Sequence, residues 1–347
     1  MAPPATMQAL IYTGYGGPEV ATLVTLPTPS PGPGEVLVAV EAAALNPVDV
    51  YLRSGAMAQI TPLAFPQLAG NELSGRVVAL GAGVERFAVG DSVFARVGKM
   101  RTGALAQYVS VPAAFVAPAP TSVPLASAAG LPLAGLTALQ MLDVLAVKKG
   151  DSLLIAGGAT AVGCFAIQLA KARGARVTTT ASPAGKALVE RLGADAVIDY
   201  KATSLTAWAE SNGHFDKVFD TAGPRTDVSD LLGAAGATAH IVTVAGPINP
   251  HTFDDYVPAW KRWFVNAILW ARFRGTAALL GDRRYEYFFM NPDGAQLAQL
   301  GAMVDAGTLQ LTVDSEYPLA EYADAFARLE SGRAKGKIIV RMPAAEE

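Results

Sequence analysis

Cysteine is almost absent from this chain. Cys164 is the only one in 347 residues, so no internal disulfide can form and a reducing compartment suits the protein. Histidine is nearly as scarce: His214, His240 and His251 are scattered, with no metal-ligand spacing among them. Charge of one sign is lacking too. With 27 basic against 30 acidic residues the net charge is −3, and no Lys/Arg cluster supplies a nucleic-acid footprint. Apolar runs are broken by Gly, Pro or charge every few residues, so none approaches the ~20 residues of a membrane span. The opening MAPPATMQALIY shows neither a basic-then-apolar signal nor an Arg/Ser-rich transit segment, which sets the expectation of a cytoplasmic protein.

What is present is apolar residues in quantity. At 51% hydrophobic and 16% charged, the chain is rich enough for a large core and long enough for two domains. Its first ~120 residues carry short β-prone runs (MQALIYTG, EVLVAVEAAAL, GRVVALG, AQYVSVP) separated by Pro/Gly punctuation. From about Ser122 the texture changes. Strand-like runs SLLIAG, RVTTTA, AVIDY, DKVFDTAG and HIVTVAG alternate with helix-like pieces at 163–173, 183–192, 203–211 and 226–235. That alternation predicts βαβ units and a parallel, doubly wound sheet. Residues 256–290 hold three of the four tryptophans, and the last ~35 residues return to a helix and a strand, GKIIVRM.

The segment DSLLIAGGATAVGCFAIQLAKARG, residues 151–174, reads as a buried strand, a glycine-rich turn and a helix. Gly157 and Gly158 permit a sharp turn, Gly163 lets the helix pack close to the strand, and Gly174 suits the helix stop. The helix N-terminus would face an anion beside the turn. Thr160 and Ala161 occupy places where the full pattern has glycines, so Thr160 is expected either to crowd a diphosphate or to donate to it. About 20 residues past the first glycine, an NAD-preferring site offers Asp or Glu to the ribose. Here the sequence is TTTASPAGK, without an acid. Ser182 and Lys186, with Tyr200 after the next strand, are candidates to receive a 2′-phosphate, which favours NADPH. Ser182 also suits the cap of a helix beginning at Pro183.

The stretches ALNPVDVYLRSG, AGNELSGRVVALGAGVERFAVGDSVFA, LPLAGLTALQ, GARVTTTASPAGKALVERLGADAVIDYK and ESGRAKGKIIV closely resemble the medium-chain dehydrogenase/reductase superfamily, best its zinc-free quinone oxidoreductase and enoyl reductase branch. The resemblance implies an α/β fold: a Rossmann doubly wound parallel sheet plus a β-rich GroES-like catalytic domain built from both chain ends. Residues 1–124 and 291–347 would form the catalytic domain and 125–290 the NADP-binding domain. It also implies a homodimer, joined near YEYFFMNPDGAQL. Zinc members carry Gly-His-Glu where this chain has Gly70-Asn71-Glu72; with one Cys and three scattered His, no tetrahedral N/S site can be assembled. That removes the usual Lewis acid for alcohol oxidation.

By the same resemblance, Asn46 and Tyr51 would lie beside the nicotinamide and its ribose, and Thr137 would touch the nicotinamide end. The turn Gly157, Gly158, Ala159, Thr160, Ala161, Val162, Gly163 would hold the diphosphate, with Lys337 approaching it. Backbone at Ala222, Gly223, Ala245, Gly246, Phe288, Phe289 and Met290 would line the adenine-ribose and carboxamide edges. From the residues alone, Asn46 also suits a cap before Pro47, and Tyr51 a core position. The implied chemistry is hydride transfer to a small, apolar, electrophilic substrate, either a quinone or the β-carbon of an activated alkene. Tyr51 is the candidate hydrogen-bond donor to the developing oxyanion. Met57 stands where several relatives place a second Tyr. The 256–290 segment is expected to be core and interface packing, or a wall for a bulky substrate. The alternative function is an NADPH-binding factor with little turnover.

Overall fold

The computed structural model describes residues 3–59, 62–223 and 226–343. These form two compact units. One takes both ends of the chain, up to Leu136 and from Asn291 onward; the other spans Thr137–Met290.

In the first unit the strand Glu35–Leu45, EVLVAVEAAAL, is buried along most of its length because it is covered on both sides. It pairs antiparallel with Glu72–Leu80, with Tyr108–Pro112 and with the C-terminal strand Lys337–Arg341. Ala44 lies opposite Glu72, and Leu45 lies opposite Ile338. These two registers gather Asn46, Glu72 and Lys337 at one end of three adjacent strands. The strands Ser92–Arg96, Val116–Pro118 and Val313–Pro318 complete this sheet, and Ala21–Pro27, Thr6–Tyr12 and Gln67–Leu68 form a separate three-stranded one. Leu10, Val38, Leu73, Val77, Phe326 and Val340 belong to one continuous core.

The second unit is built on a six-stranded parallel sheet. In space its strands run Ala196–Asp199, Arg176–Ala181, Ser152–Ala156, Phe215–Asp220, Ala235–Thr243 and Arg284–Tyr287. By order of appearance that is 3-2-1-4-5-6, the doubly wound Rossmann arrangement. The helices Ala161–Ala172, Pro183–Arg191, Leu205–Asn212 and Val228–Ala234 lie within about two residues of the pieces expected from the sequence. The first begins two residues early because Thr160, not a later residue, caps it.

The aromatic segment divides. Its helix, Ala259–Leu280, buries Leu269, Phe273 and Thr276, and Phe273 packs on Tyr285 of the edge strand. Trp260, Trp263 and Trp270 are exposed, so the expected core packing does not extend to the tryptophans.

Gly163 sets the closeness of helix to turn: an added Cβ would overlap the Gly157 carbonyl oxygen and lie 2.8 Å from Gly158 Cα. Both neighbours are backbone and cannot swing aside. Gly163→Ala should therefore lower the unfolding free energy by roughly 1–3 kcal/mol. Urea titration checks this, and an unchanged midpoint would contradict close packing at Gly163.

Candidate functional site

The parallel register brings the expected cofactor residues to one edge of the second unit. Ala156 pairs with Asp220, Asp220 with Thr243 and Thr243 with Tyr287. On the other side Ala181 pairs with Asp199. One or two steps past these positions begin the turns Gly157–Gly163, Ala222-Gly223, Ala245-Gly246 and Phe288–Met290, and there lie Ser182 and Tyr200. All sit at the carboxyl ends of the strands, where open α/β sheets bind ligands.

Gly157 turns the chain with φ +90°, and Gly158 rests so close to Thr179 that a Cβ would collide with its hydroxyl. Gly157 N donates to Thr180 Oγ1 at 2.7 Å and Gly158 N to Thr180 O at 3.0 Å. Thr160 is committed to the turn itself. Its Oγ1 accepts from Gly163 N at 3.0 Å and donates to Gly157 O at 2.8 Å, and its amide donates to the same carbonyl. Threonine here is a helix cap, satisfying an otherwise orphaned donor. The amides of Ala161 and Val162, the first two of the helix, meet no acceptor among the described residues and are the groups left for an anion.

Ser182 occupies the N-cap of Pro183–Arg191, yet its hydroxyl makes no capping bond; its carbonyl accepts from Gly185 N and Lys186 N instead. Lys186 is exposed, its ammonium 3.8 Å from Glu190 one turn on, a weak surface pair. Tyr200 is also exposed. The three candidate 2′-phosphate contacts thus sit on neighbouring strand ends with side chains not locked into the fold.

Sequence reasoning missed Asp220. Buried at the end of the fourth strand, it accepts from Thr243 Oγ1 at 2.8 Å and from the amides of Ala222 and Gly223 at 3.0 and 3.3 Å. Thr243 Oγ1 in turn accepts from Ala245 N and Gly246 N. One carboxylate therefore shapes two expected cofactor turns, and burial raises its pKa against the pull of those donors. An acid directly following the apolar pair Val218-Phe219 at the end of a strand was the available signal. Phe288 N is held by Thr243 O, and the Phe289 ring packs edge-on against Phe253 and Tyr256.

In the other unit, Asn46 caps the helix Pro47–Arg53: its amide donates to Asp49 Oδ2 at 2.8 Å. Its side chain is buried, with Nδ2 donating to Glu72 Oε1 at 2.7 Å and Oδ1 accepting from Lys337 Nζ at 2.6 Å. Lys337 Nζ also reaches Glu72 Oε1 at 2.6 Å and Leu45 O at 3.1 Å. Glu72 Oε2 accepts from Leu133 N at 2.6 Å. The structure thus places Asn46 and Lys337 together in one buried hydrogen-bond and ion-pair network. An ammonium has three donors, and all three of those on Lys337 end inside this network. Beside it, Asn71 Nδ2 donates to Asp49 Oδ1, and Arg96 donates to Asn71 O at 2.8 Å. Burial pushes Asp49 up to about 6, opposed by bonds from Asn46 and Asn71 and by the Arg96 and Lys337 charges; it pushes Arg96 down to about 10.

Tyr51, on the same short helix, is exposed, so it is not a core tyrosine. Thr137 is buried in the helix Pro132–Val144. Zinc does not fit the donors present. Asn71 stands in the histidine position and donates to Asp49, Cys164 is buried in the helix after the glycine turn, and His240 and His251 pair with Glu286 and Asp254. Among the described residues no group of His, Cys, Asp or Glu could hold a metal ion.

The buried network has two measurable consequences. Lys337→Met leaves Glu72 charged without its cation and should cost about 3–5 kcal/mol, whereas Lys337→Met combined with Glu72→Gln should recover much of that loss. Chemical denaturation of both variants distinguishes the pair from simple packing, which would give additive losses. For Asp49 the folded pKa lies above the unfolded one, so the folded state binds the extra proton and stability falls as pH rises from about 4 to 6. A pKa raised from the ordinary value to about 6 corresponds to at most about 3 kcal/mol. The stability of wild type relative to Asp49→Asn should decline across that interval, and a flat or rising difference would refute the raised pKa.

Comparison with known proteins agrees with this architecture. A zinc-binding dehydrogenase family model matches residues 192–340, and an alcohol dehydrogenase GroES-like domain model matches residues 32–121. The chain is 31% identical over 344 residues to the chloroplastic quinone-oxidoreductase homolog of Spinacia oleracea, covering 96% of this chain and 98% of the relative. It is 32% identical over 348 residues to the chloroplastic NADPH-dependent alkenal/one oxidoreductase of Arabidopsis thaliana, covering 97% and 80%. The solved structure of the quinone oxidoreductase from Coxiella burnetii superposes with a TM-score of 0.82 at 29% identity, covering 97% of this chain and 100% of that one. The two-unit fold, the ordered motifs and these full-length similarities lead to one conclusion: the chain belongs to the medium-chain dehydrogenase/reductase superfamily, in its quinone oxidoreductase branch of oxidoreductases.

Proposed function

We propose that the protein is a zinc-independent, NADPH-dependent reductase that delivers hydride to a quinone or to the β-carbon of an activated alkene. The observation that carries this reading is the strand-end constellation: a tight glycine turn, two helix amides open to an anion, and Ser182 and Lys186 where an NAD-preferring site would place an acid. When bound, the nicotinamide supplies the hydride. The amides of Ala161 and Val162 would meet the diphosphate at the positive end of their helix. Ser182 and Lys186, with Tyr200 on the adjacent strand end, would receive the 2′-phosphate. The turns organised by Asp220 and Thr243 would present their backbone to the adenine-ribose and carboxamide edges. Tyr51, with its side chain exposed, would donate a hydrogen bond to the enolate or hydroquinone oxygen as charge develops there.

The donor inventory supports chemistry without zinc, since neither a thiolate pair nor a histidine stands where that metal would need one. We further propose the division into catalytic and NADP-binding domains at 1–124, 125–290 and 291–347, a cytoplasmic setting, and a homodimer formed through the edge strand Arg284–Tyr287. Quinones and enones are both apolar electrophiles, and the relatives include proteins named for each.

Absorbance at 340 nm with a quinone and an enone panel tests the activity. Oxidation of NADPH with either class is expected; cofactor binding without oxidation across the panel would favour the binding-factor alternative. Lys186→Ala removes a charge-assisted contact worth about 1.5–3 kcal/mol. It should raise KM for NADPH about tenfold or more while leaving KM for NADH nearly unchanged, and an unaltered ratio would remove Lys186 from the phosphate site.

A further inference from the structure

The helix Ala259–Leu280 is anchored on one side only. Leu269, Phe273 and Thr276 recur at helical spacing and face the sheet. The opposite side is apolar and open: Trp260, Trp263, Phe264 and Trp270 are 72%, 73%, 51% and 59% exposed, and Ile268 and Leu279 lie on the flank. Monomer surfaces rarely carry such a continuous apolar patch without a partner. The helix also contains Lys261, Arg262, Arg272 and Arg274 and no acidic residue, in a chain whose net charge is −3. Acids appear only beyond its ends, at Asp254, Asp255 and Asp282.

We propose that this helix docks on an anionic phospholipid surface, lying in the headgroup plane with its tryptophans at the level of the acyl boundary. Three features select this occupant. Lys261 and Arg272 flank the aromatic stripe and Arg274 lies one turn beyond Trp270, an arrangement that lets an interfacial helix insert apolar groups while its charges meet lipid phosphates. Arg262 lies toward the anchored side, donating to Val257 O. Indole rings carry one polar N–H on a broad apolar body and partition to the boundary between lipid and water. The helix extends about 33 Å, yet no helix among the described residues is long and apolar enough to cross a bilayer, so it would lie on the membrane rather than span it. A second copy is a poorer occupant. A two-fold face-to-face contact sets Lys261, Arg272 and Arg274 against their own copies, with no carboxylate in the helix to answer them.

The native tryptophans report on this directly, because the fourth, Trp208, is stacked on Phe215 at 5.3 Å away from this face. Intact protein should co-sediment with phosphatidylcholine vesicles containing phosphatidylglycerol, with a blue shift of tryptophan emission and quenching by lipids labelled near the headgroup. Affinity should fall at least ~tenfold on pure phosphatidylcholine, and as much in high salt, because several cations each lose their attraction to the lipid charge. Trp263→Glu with Trp270→Glu should abolish sedimentation, and Arg272→Glu with Arg274→Glu should remove the preference for anionic vesicles. The tryptophans replaced are exposed, so unchanged circular dichroism and unchanged NADPH affinity should accompany both losses. Absence of vesicle binding, equal affinity for both vesicle types, or a concentration-dependent dimer with blue-shifted tryptophans in the absence of lipid would overturn the proposal.

Discussion

One buried ion pair closes the unit made from the two ends of the chain. Lys337 and Glu72 are 265 positions apart in sequence, yet their side chains meet at 2.6 Å with 2% and 0% exposure. Removing two charges from water is costly, and the cost is tolerable only when each remaining donor and acceptor is met. Here Leu45 O, both side-chain polar atoms of Asn46 and the amide of Leu133 meet them. The pair therefore fixes the register of three strands and the start of the Pro47–Arg53 helix together, which is the helix that carries Tyr51.

The second unit obeys a different constraint. Parallel pairing aligns six strand ends, so a short set of turns converges without any one of them being exceptional. Asp220 is to those turns what Glu72 is to the other unit: a buried carboxylate whose hydrogen bonds decide backbone shape. Each accepts hydrogen bonds from the chain's own donors, whatever ligand binds. The groups that would touch one, the Ala161 and Val162 amides and the Ser182 hydroxyl, stay uncommitted among the described residues.

Much of this is legible in the sequence, and what is not has a physical reason. Buried parallel strands read as short apolar runs, so SLLIA and its neighbours stand out, with their helices placed to within about two residues. The glycine turn is legible because Gly157 and Gly163 satisfy steric demands that few residues can meet. The roles of Asn46 and Lys337 are not. They depend on a pairing across 291 positions that spacing does not encode. The Thr160 cap, by contrast, is a purely local bond to the amide of Gly163. The aromatic segment does carry a signal. Positions 269, 273, 276 and 280 have helical spacing and leave the tryptophans on the outside.

The function proposed for the strand-end constellation rests on NADPH being held there by backbone amides and a basic 2′-phosphate pocket. A crystal structure of the protein with NADPH tests this most directly. The diphosphate should lie at the Ala161 and Val162 amides, with the 2′-phosphate within hydrogen-bonding distance of Ser182 and Lys186. A 2′-phosphate bound elsewhere, or a diphosphate held by Lys337, would contradict it.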